Sequence, residues 1–178
     1  MYGPLFERAN WDVNDPSEIG TFRRTVLAWA WPNKYTDLEI AIQRLSISLD
    51  AAIKHFLVHA DEKGNRLVED RFYKRLNEWN PERYEELTKR WDKWYDRHTE
   101  LIHHATKAAN WVADEVRSKL NPTYLEAKRF LVKEADGLQS VTKLLQYNPA
   151  DKEEIVKNIL WDLEHESNFI RIPPMDEP

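Results

Sequence analysis

The residues with the clearest chemical potential lie in one run, Arg97-His98-Thr99-Glu100-Leu101-Ile102-His103-His104. Histidine takes up and releases protons near neutral pH, and arginine supplies a fixed positive charge that stabilises a developing oxyanion. Cleavage of RNA by its own 2′-hydroxyl needs both functions at one phosphate. The run therefore contains the side-chain types of an acid–base phosphodiesterase site.

This run resembles the Arg-x(4–6)-His motif of the HEPN superfamily, in which the residue after the arginine is usually Asn, His or Asp and here is His98. The resemblance implies a small all-α domain, often dimeric, with the sites brought together at the dimer interface. Many such proteins are metal-independent ribonucleases of toxin–antitoxin or phage-defence systems. The resemblance further implies that Arg97 stabilises the phosphate and that His103 or His104 is the general base or acid.

Arg90, Arg97 and His104 recur at seven-residue intervals, so they share one flank of a helix. That flank is suited to an acidic backbone or to the matching motif of a dimer mate. The alternative is that these residues border a helix seam and pair with acids of a neighbouring helix.

The longest predicted element is a helix over residues 81–120. Asn80 is a good N-cap, Pro81 suits the first helical position, and no further Gly or Pro interrupts the helix. Forty residues at 1.5 Å each span roughly 60 Å, which exceeds the roughly 40 Å of a globule of this length. The helix must therefore overhang, bend, or be covered by shorter helices or a partner. Its apolar residues follow heptad spacing, with His98 at one seam position: Tyr84, Leu87, Trp91, Trp94, Leu101, Ala105, Ala108 and Val112.

Two shorter helices are predicted before the long one. The first begins at Asp15 and ends before Pro32. The second begins at the capping box Thr36-Asp37-Leu38-Glu39 and runs to about Ala60. Gly64-Asn65 then predicts a turn, after which the spacing of four, four and three favours another helix: Val68, Phe72, Leu76 and Trp79.

The chain after the long helix supports two interpretations. Residues 124–138 have a helical pattern, which we favour, whereas Asp136-Gly137 is a type I′ turn signal for a small β-hairpin near 126–147. A final helix is predicted from Asp151 to Ile170. The fold class is therefore an all-α helical bundle built around residues 81–120, with that hairpin as the open alternative. It forms a single domain over 1–170, followed by a flexible acidic tail over 171–178.

Composition excludes several classes of function. The chain of 178 residues has no cysteine, and its four glycines are too scattered to form a phosphate-binding loop. His55 and His59 lie one helical turn apart, and Glu100 with His103 forms a Glu-x-x-His, but no second such motif completes a dinuclear centre. We expect no metal and no cofactor. No apolar run approaches the roughly 20 residues that span a bilayer, so we expect a cytoplasmic protein without membrane contact.

The net charge of −5 is concentrated at one end of the chain. Residues 148–178 carry eight acidic and three basic side chains, which account for all of it. A neutral body with an acidic end is not typical of a general nucleic-acid binder. Trp29 and Trp31, just before Pro32, are difficult to bury together, and tryptophan is enriched at protein-binding hot spots. We therefore count Trp29, Trp31 and Arg90 as candidate binding residues.

Two functions of different class are consistent with these features. The first is a helical interaction or regulatory protein that binds a protein partner or its own copy through the long helix, in a bacterial or phage defence or toxin–antitoxin context. The second is a HEPN-like metal-independent endoribonuclease, and only this one implies RNA as a partner. A seam covered within one chain, with Arg97 and His104 paired outside it, favours the first. Convergence of Arg97 and His104 from two copies on a cleft favours the second.

Overall fold

The structure is a computed structural model that describes residues 10–76, 80–136 and 139–147. The predicted final helix and the acidic tail over 171–178 lie outside these residues. Helices dominate the described part, as predicted, but two small antiparallel sheets make the all-α class too narrow. The elements are β1 (Asn10–Asp12), α1 (Asp15–Ala28), α2 (Thr36–Leu57), β2 (Ala60–Lys63), β3 (Arg66–Glu69), α3 (Pro81–Lys119), β4 (Leu131–Asp136) and β5 (Gln139–Leu144).

The long helix α3 is present as predicted. The Asn80 side chain accepts a hydrogen bond from the Arg83 backbone N–H at 3.0 Å, which caps the first turn. α2 packs antiparallel along it, since His55 contacts Trp94 while Ala52 packs on Leu101. The predicted seam is therefore covered within one chain. Its buried members are Leu87, Trp94, His98, Leu101, Ala105 and Ala108.

The start of α2 differs in detail from the predicted capping box. The helix begins at Thr36, and the preceding Tyr35 occupies the N-cap position without a side-chain cap. The Glu39 carboxylate nevertheless reaches back and accepts from the backbone N–H groups of Asn33 and Tyr35 at 3.2 and 3.4 Å. Glu39 thus reaches back as predicted, but to the backbone of Asn33 and Tyr35 and not to that of Thr36. α1 packs against α2, and its buried residues are Ile19 and Val26.

The helix expected around Val68 and Phe72 is absent. β2 and β3 form a hairpin whose turn contains Gly64 at a φ of 65°, and β1 pairs with β3 so that Trp11 lies opposite Leu67. Leu67 joins the core formed by Phe56 and Trp94. Along β3 the buried side chains are those of Leu67 and Glu69, whereas Val68 is only partly buried, so the spacing that favours a helix does not match the burial pattern of the strand. A 3₁₀ turn, Phe72–Lys74, comes next.

The favoured helix over 124–138 is also wrong, and the hairpin alternative is confirmed. A 3₁₀ turn at Tyr124–Ala127 leads to β4, which pairs antiparallel with β5 so that Leu131 lies opposite Leu144. The base of this hairpin is fixed to α3 by Asn110. The Asn110 amide accepts from the Phe130 N–H at 2.8 Å and donates to the carbonyl groups of Phe130 and Leu145 at 2.9 and 2.8 Å.

Candidate functional site

Two of the three predicted catalytic residues, Arg97 and His104, lie beside one carboxylate on α3. Arg97 Nη1 lies 2.6 Å from Glu100 Oε2, and His104 Nε2 lies 3.8 Å from Glu100 Oε1. Spacings of three and four residues bring these three side chains onto one helix flank. Glu100 was not among the predicted site residues, although its position between Arg97 and His104 at helical spacing was sufficient to identify it.

The three side chains of this Arg97–Glu100–His104 group differ in their exposure to solvent. The side chains of Arg97 and His104 are 15% and 10% exposed, whereas that of Glu100 is 48% exposed. The Glu100 carboxylate is therefore the most solvent-accessible member of the group. A phosphate that binds Arg97 must displace Glu100 from a charge-assisted hydrogen bond.

Arg90, another predicted site residue of α3, lies apart from this group. Arg90 is half-exposed and lies 4.0 Å from Glu86 in a separate pair. His103 is partly buried on the adjoining face. Of the sequence-predicted residues, Arg97 and His104 are brought together through Glu100, and Arg90 is not brought into the group.

His98, the polar neighbour in the motif, is a core residue. Its ring stacks on Trp94 at a centroid distance of 5.8 Å and an interplanar angle of 5°, and it lies parallel to His55 at 6.3 Å. Burial, with a smaller contribution from His55, lowers the pKa of His98 to about 3. His98 is therefore neutral at physiological pH and packs as an aromatic side chain.

His55 itself is fixed by a reciprocal pair of hydrogen bonds. Its Nε2 donates to the Trp94 carbonyl at 2.9 Å, and Trp94 Nε1 donates to the His55 carbonyl at 3.1 Å. Both rings are buried where α2 crosses α3. Over the described ranges, no three His, Cys, Asp or Glu side chains are grouped so as to hold a metal ion. The described histidines thus have no metal-binding arrangement.

The predicted tryptophan anchor lies at the corner between α1 and α2. Trp29 is 54% exposed, and its ring meets that of Trp31 edge-on with centroids 5.2 Å apart. Leu27, on the preceding turn, is also exposed. The corner therefore presents apolar surface to solvent, while a binding role for Trp29 and Trp31 stays a prediction.

A larger exposed apolar surface surrounds the β4–β5 hairpin, and sequence reasoning missed it. Most of the exposed large apolar side chains in the described part of the chain lie between residues 120 and 144. Their common feature is position at the C-terminal end of α3 or on the hairpin beyond it. We call this set the hairpin surface: Leu120, Tyr124, Leu125, Phe130, Leu131, Val141 and Leu144.

The base of the hairpin surface is held by charge as well as by Asn110. Asp114 pairs with Arg117 at 2.7 Å and also with Arg129. Burial alone would raise the pKa of Asp114, but hydrogen bonds from Arg129 and Arg117 lower it below its usual value. The Tyr147 ring then stacks on Trp111 at 4.4 Å. These contacts fix where the hairpin leaves α3.

Across the described ranges, no helix has the length and apolar character needed to cross a membrane. Comparison of the chain with protein-family models, with curated proteins and with solved structures finds no match.

Proposed function

We propose that this chain is a helical interaction protein that binds another protein surface through the hairpin surface. The observation that carries this proposal is the exposure of Phe130, Leu131 and Leu144, at 47%, 57% and 46%, on a hairpin attached to the body at its base. Several large apolar side chains exposed in one region of a protein are typical of a protein-binding site.

The conformation of the hairpin supports the same proposal. An isolated two-stranded hairpin is at best marginally stable in water. Apolar side chains lie on both faces of this one, because Leu144 is three positions after Val141 along β5, and an odd offset puts two side chains on opposite faces of a strand. A partner that covers these side chains would stabilise the hairpin and bury the surface together.

In this proposal the long helix α3 positions the hairpin surface and supplies little of the binding surface itself. Its seam is covered by α2, and its outward face pairs charges within the helix, as in Lys89 with Glu85 at 2.6 Å and Arg83 with Glu86 at 2.6 Å. Such solvated pairs contribute little to binding. α3 therefore serves to hold the hairpin surface at its C-terminal end.

The test compares Leu144→Lys with Thr142→Lys. Both residues are exposed, lie two apart on β5 and so share one face, but only Leu144 belongs to the hairpin surface. Loss of a buried leucine removes about 1.5–3 kcal/mol, so Leu144→Lys should weaken a complex roughly tenfold to a hundredfold. Thr142→Lys should bind as wild type.

Two measurements compare the binding of wild type with that of these two variants. Light scattering after size exclusion detects a second copy of the chain, and affinity capture from the source cell with mass spectrometry detects a different protein. The proposal fails if wild type stays monomeric at about 100 µM, where a micromolar interface is saturated, and captures nothing that Leu144→Lys does not capture equally.

A HEPN-like ribonuclease is the second candidate. The observation that favours it is the grouping of Arg97, Glu100 and His104 on one flank, which supplies a cation, a carboxylate that can orient the imidazole, and a proton carrier. This function requires that RNA phosphate replace Glu100 as the partner of Arg97.

Purified protein should then cleave single-stranded RNA equally with and without EDTA. Arg97→Ala and His104→Ala should each lower the rate by roughly 10²–10⁴-fold, the usual contribution of a positioned acid, base or charge. His103→Ala decides which histidine acts, and Arg83→Ala, an exposed arginine of the same helix, is the matched control. Cleavage that survives Arg97→Ala, or that EDTA abolishes, contradicts this candidate.

A further inference from the structure

The corner between α1 and α2 exposes apolar side chains in addition to those of the hairpin surface. Leu27, in the last turn of α1, is 66% exposed, and Trp29 is 54% exposed. Trp31 is partly exposed and meets the ring of Trp29 edge-on, with centroids 5.2 Å apart. We call Leu27, Trp29 and Trp31 the corner surface. Two indole rings and one leucine side chain therefore reach solvent within one short stretch of chain.

Contacts with the start of α2 fix the conformation of this stretch. The Glu39 carboxylate accepts hydrogen bonds from the backbone N–H groups of Asn33 and Tyr35, and Glu39 itself is 6% exposed. Asn33 has a φ of 57°, in the left-handed region that asparagine occupies more readily than most residues. The Lys34 ammonium group lies over the Tyr35 ring, 5.0 Å from its centroid. The corner surface is thus carried on a backbone that is held from inside.

The charges around the corner surface are mainly positive. Residues 19–36 contain no acid, although acids outnumber bases in the whole chain, and their basic residues are Arg23, Arg24 and Lys34. Among the described residues none of these three cations forms an ion pair, and Arg23 and Arg24 donate to hydroxyl groups instead. The exposed Asp37 is the first acid after this stretch. Three cations against one exposed carboxylate at the start of α2 leave the corner net positive.

These side chains together match the interface between a lipid bilayer and water. Tryptophan and tyrosine collect at the level of the headgroups, because each has an apolar body and a polar edge. Arginine and lysine lay their apolar stems along such a surface while their charges reach anionic headgroups. Arg23 and Arg24 precede Leu27 by four and three positions, so they flank it on α1.

The exposure pattern favours a lipid surface over a protein partner. Residues 27–30 and 32–34 are all exposed, so the corner projects from the body. Lipid headgroups rearrange around a projecting group, whereas a protein partner must provide a cavity of matching shape. An anionic bilayer therefore satisfies both the shape and the charge of the corner.

We propose that the corner surface attaches the protein to an anionic lipid bilayer. Leu27, Trp29 and Trp31 enter the headgroup region, and the neighbouring cations lie at the level of the lipid phosphates. Attachment of this kind needs no helix that crosses the bilayer. The expectation of no membrane contact follows from the lack of a long apolar run, so it applies to crossing and not to surface attachment. The hairpin surface and the Arg97–Glu100–His104 group belong to other elements, so this attachment depends on neither proposed function.

Co-sedimentation with lipid vesicles measures this attachment in the whole chain. Vesicles of phosphatidylcholine with about 30% phosphatidylglycerol supply anionic headgroups, and vesicles of phosphatidylcholine alone supply none. Each cation near an anionic surface strengthens binding about fivefold. Three cations, offset in part by Asp37, should therefore give roughly tenfold to hundredfold tighter binding to the anionic vesicles, and high salt should remove most of this difference.

Trp29→Ser and Leu131→Ser form a matched pair of variants. The two side chains are exposed to a similar extent, at 54% and 57%, but only Trp29 belongs to the corner surface. Trp29→Ser should weaken vesicle binding roughly tenfold to a hundredfold, since it removes an exposed indole ring from the contact. Leu131→Ser should bind vesicles as wild type. Circular dichroism checks that both variants retain their helices.

Arg24→Gln and Arg83→Gln separate the contribution of charge. Arg24 is exposed beside the corner surface, whereas Arg83 lies on α3 and pairs with Glu86. Arg24→Gln should weaken binding to anionic vesicles about fivefold and leave binding to neutral vesicles unchanged. Arg83→Gln should bind both kinds of vesicle as wild type. Equal binding of wild type to the two kinds of vesicle contradicts the proposed role of the cations.

Wild type that remains in the supernatant at about 1 mM anionic lipid overturns the proposal without any variant, because even a single myristoyl chain binds with roughly 10⁴ M⁻¹. Equal binding by wild type and Trp29→Ser removes the corner surface from the contact and overturns it as well. Loss of binding in Leu131→Ser with retention in Trp29→Ser places the lipid contact on the hairpin surface instead.

Discussion

Asn110→Ala is expected to lower the free energy of unfolding by about 3 kcal/mol. The Asn110 side chain is 1% exposed and makes three hydrogen bonds, all with the backbone groups that open and close the β4–β5 hairpin. Each such bond contributes about 1 kcal/mol net, and a buried carbonyl or N–H left without a partner costs more. Urea unfolding followed by tryptophan fluorescence measures the loss.

Thr106→Ala is the matched control for this prediction. Thr106 lies one turn before Asn110, and its hydroxyl donates to the Ile102 carbonyl of its own helix. We expect that variant to remain within about 0.5 kcal/mol of wild type. If the hairpin detaches without global unfolding, Asn110→Ala should instead accelerate hydrogen exchange of the amides in residues 129–146. A variant with wild-type stability and wild-type exchange in that segment would show that Asn110 does not hold the hairpin.

Asn110 also shows where sequence reasoning fails for this fold. The local pattern of residues 124–138 fits a helix, and the structure has a hairpin because α3 provides partners for its two ends. That interaction joins residues 20 and 35 positions apart. Helical periodicity does not report on such a contact, so tertiary hydrogen bonding overrides the local preference.

The long helix was predictable for the opposite reason. Its signals are local: an Asn-Pro start, an uninterrupted heptad seam and basic residues in the last turn. The strand β3 was not predicted, although the Gly64-Asn65 turn that joins it to β2 was, because Val68 and Phe72 also fit a helical spacing. Its pairing with β1, through Trp11 and Asn10, joins residues far apart in sequence, which a local pattern does not report.

For the candidate site, too, some features were predictable from the sequence and others were not. Seven-residue spacing correctly places Arg97 and His104 on one flank of α3. Their low exposure, and the engagement of Arg97 with Glu100, depend on how α3 packs and on side-chain rotamers. The hairpin surface was missed because the spacing of Leu131 and Leu144 does not differ from that of buried strand residues, and their exposure is seen only in the folded structure.

The free energy of unfolding is expected to fall by about 2 kcal/mol between pH 7 and pH 5 because of His98 alone. The folded state holds the pKa of His98 at about 3, against 6.5 for an ordinary histidine. Between these values the unfolded chain binds a proton that the folded chain excludes, so acid favours unfolding. The contribution is complete above pH 6.5 and is lost progressively as the pH falls toward 3. Each pH unit below 6.5 removes about 1.36 kcal/mol, so the fall to pH 5 gives the expected loss.

His98→Phe removes the titrating group while keeping an aromatic ring between Trp94 and Phe56. The Nδ1 of His98 is buried without a hydrogen-bond partner among the described residues, so the substitution sacrifices no bond at that atom. The free energy of unfolding of this variant, from urea titrations, should therefore change by about 2 kcal/mol less between pH 7 and pH 5 than that of wild type. Thr106→Ala, which removes no titrating group from the same helix, should retain the wild-type dependence. An unchanged pH dependence in His98→Phe would mean that His98 is protonated in the folded protein, which the parallel stack of His55, Trp94 and His98 opposes.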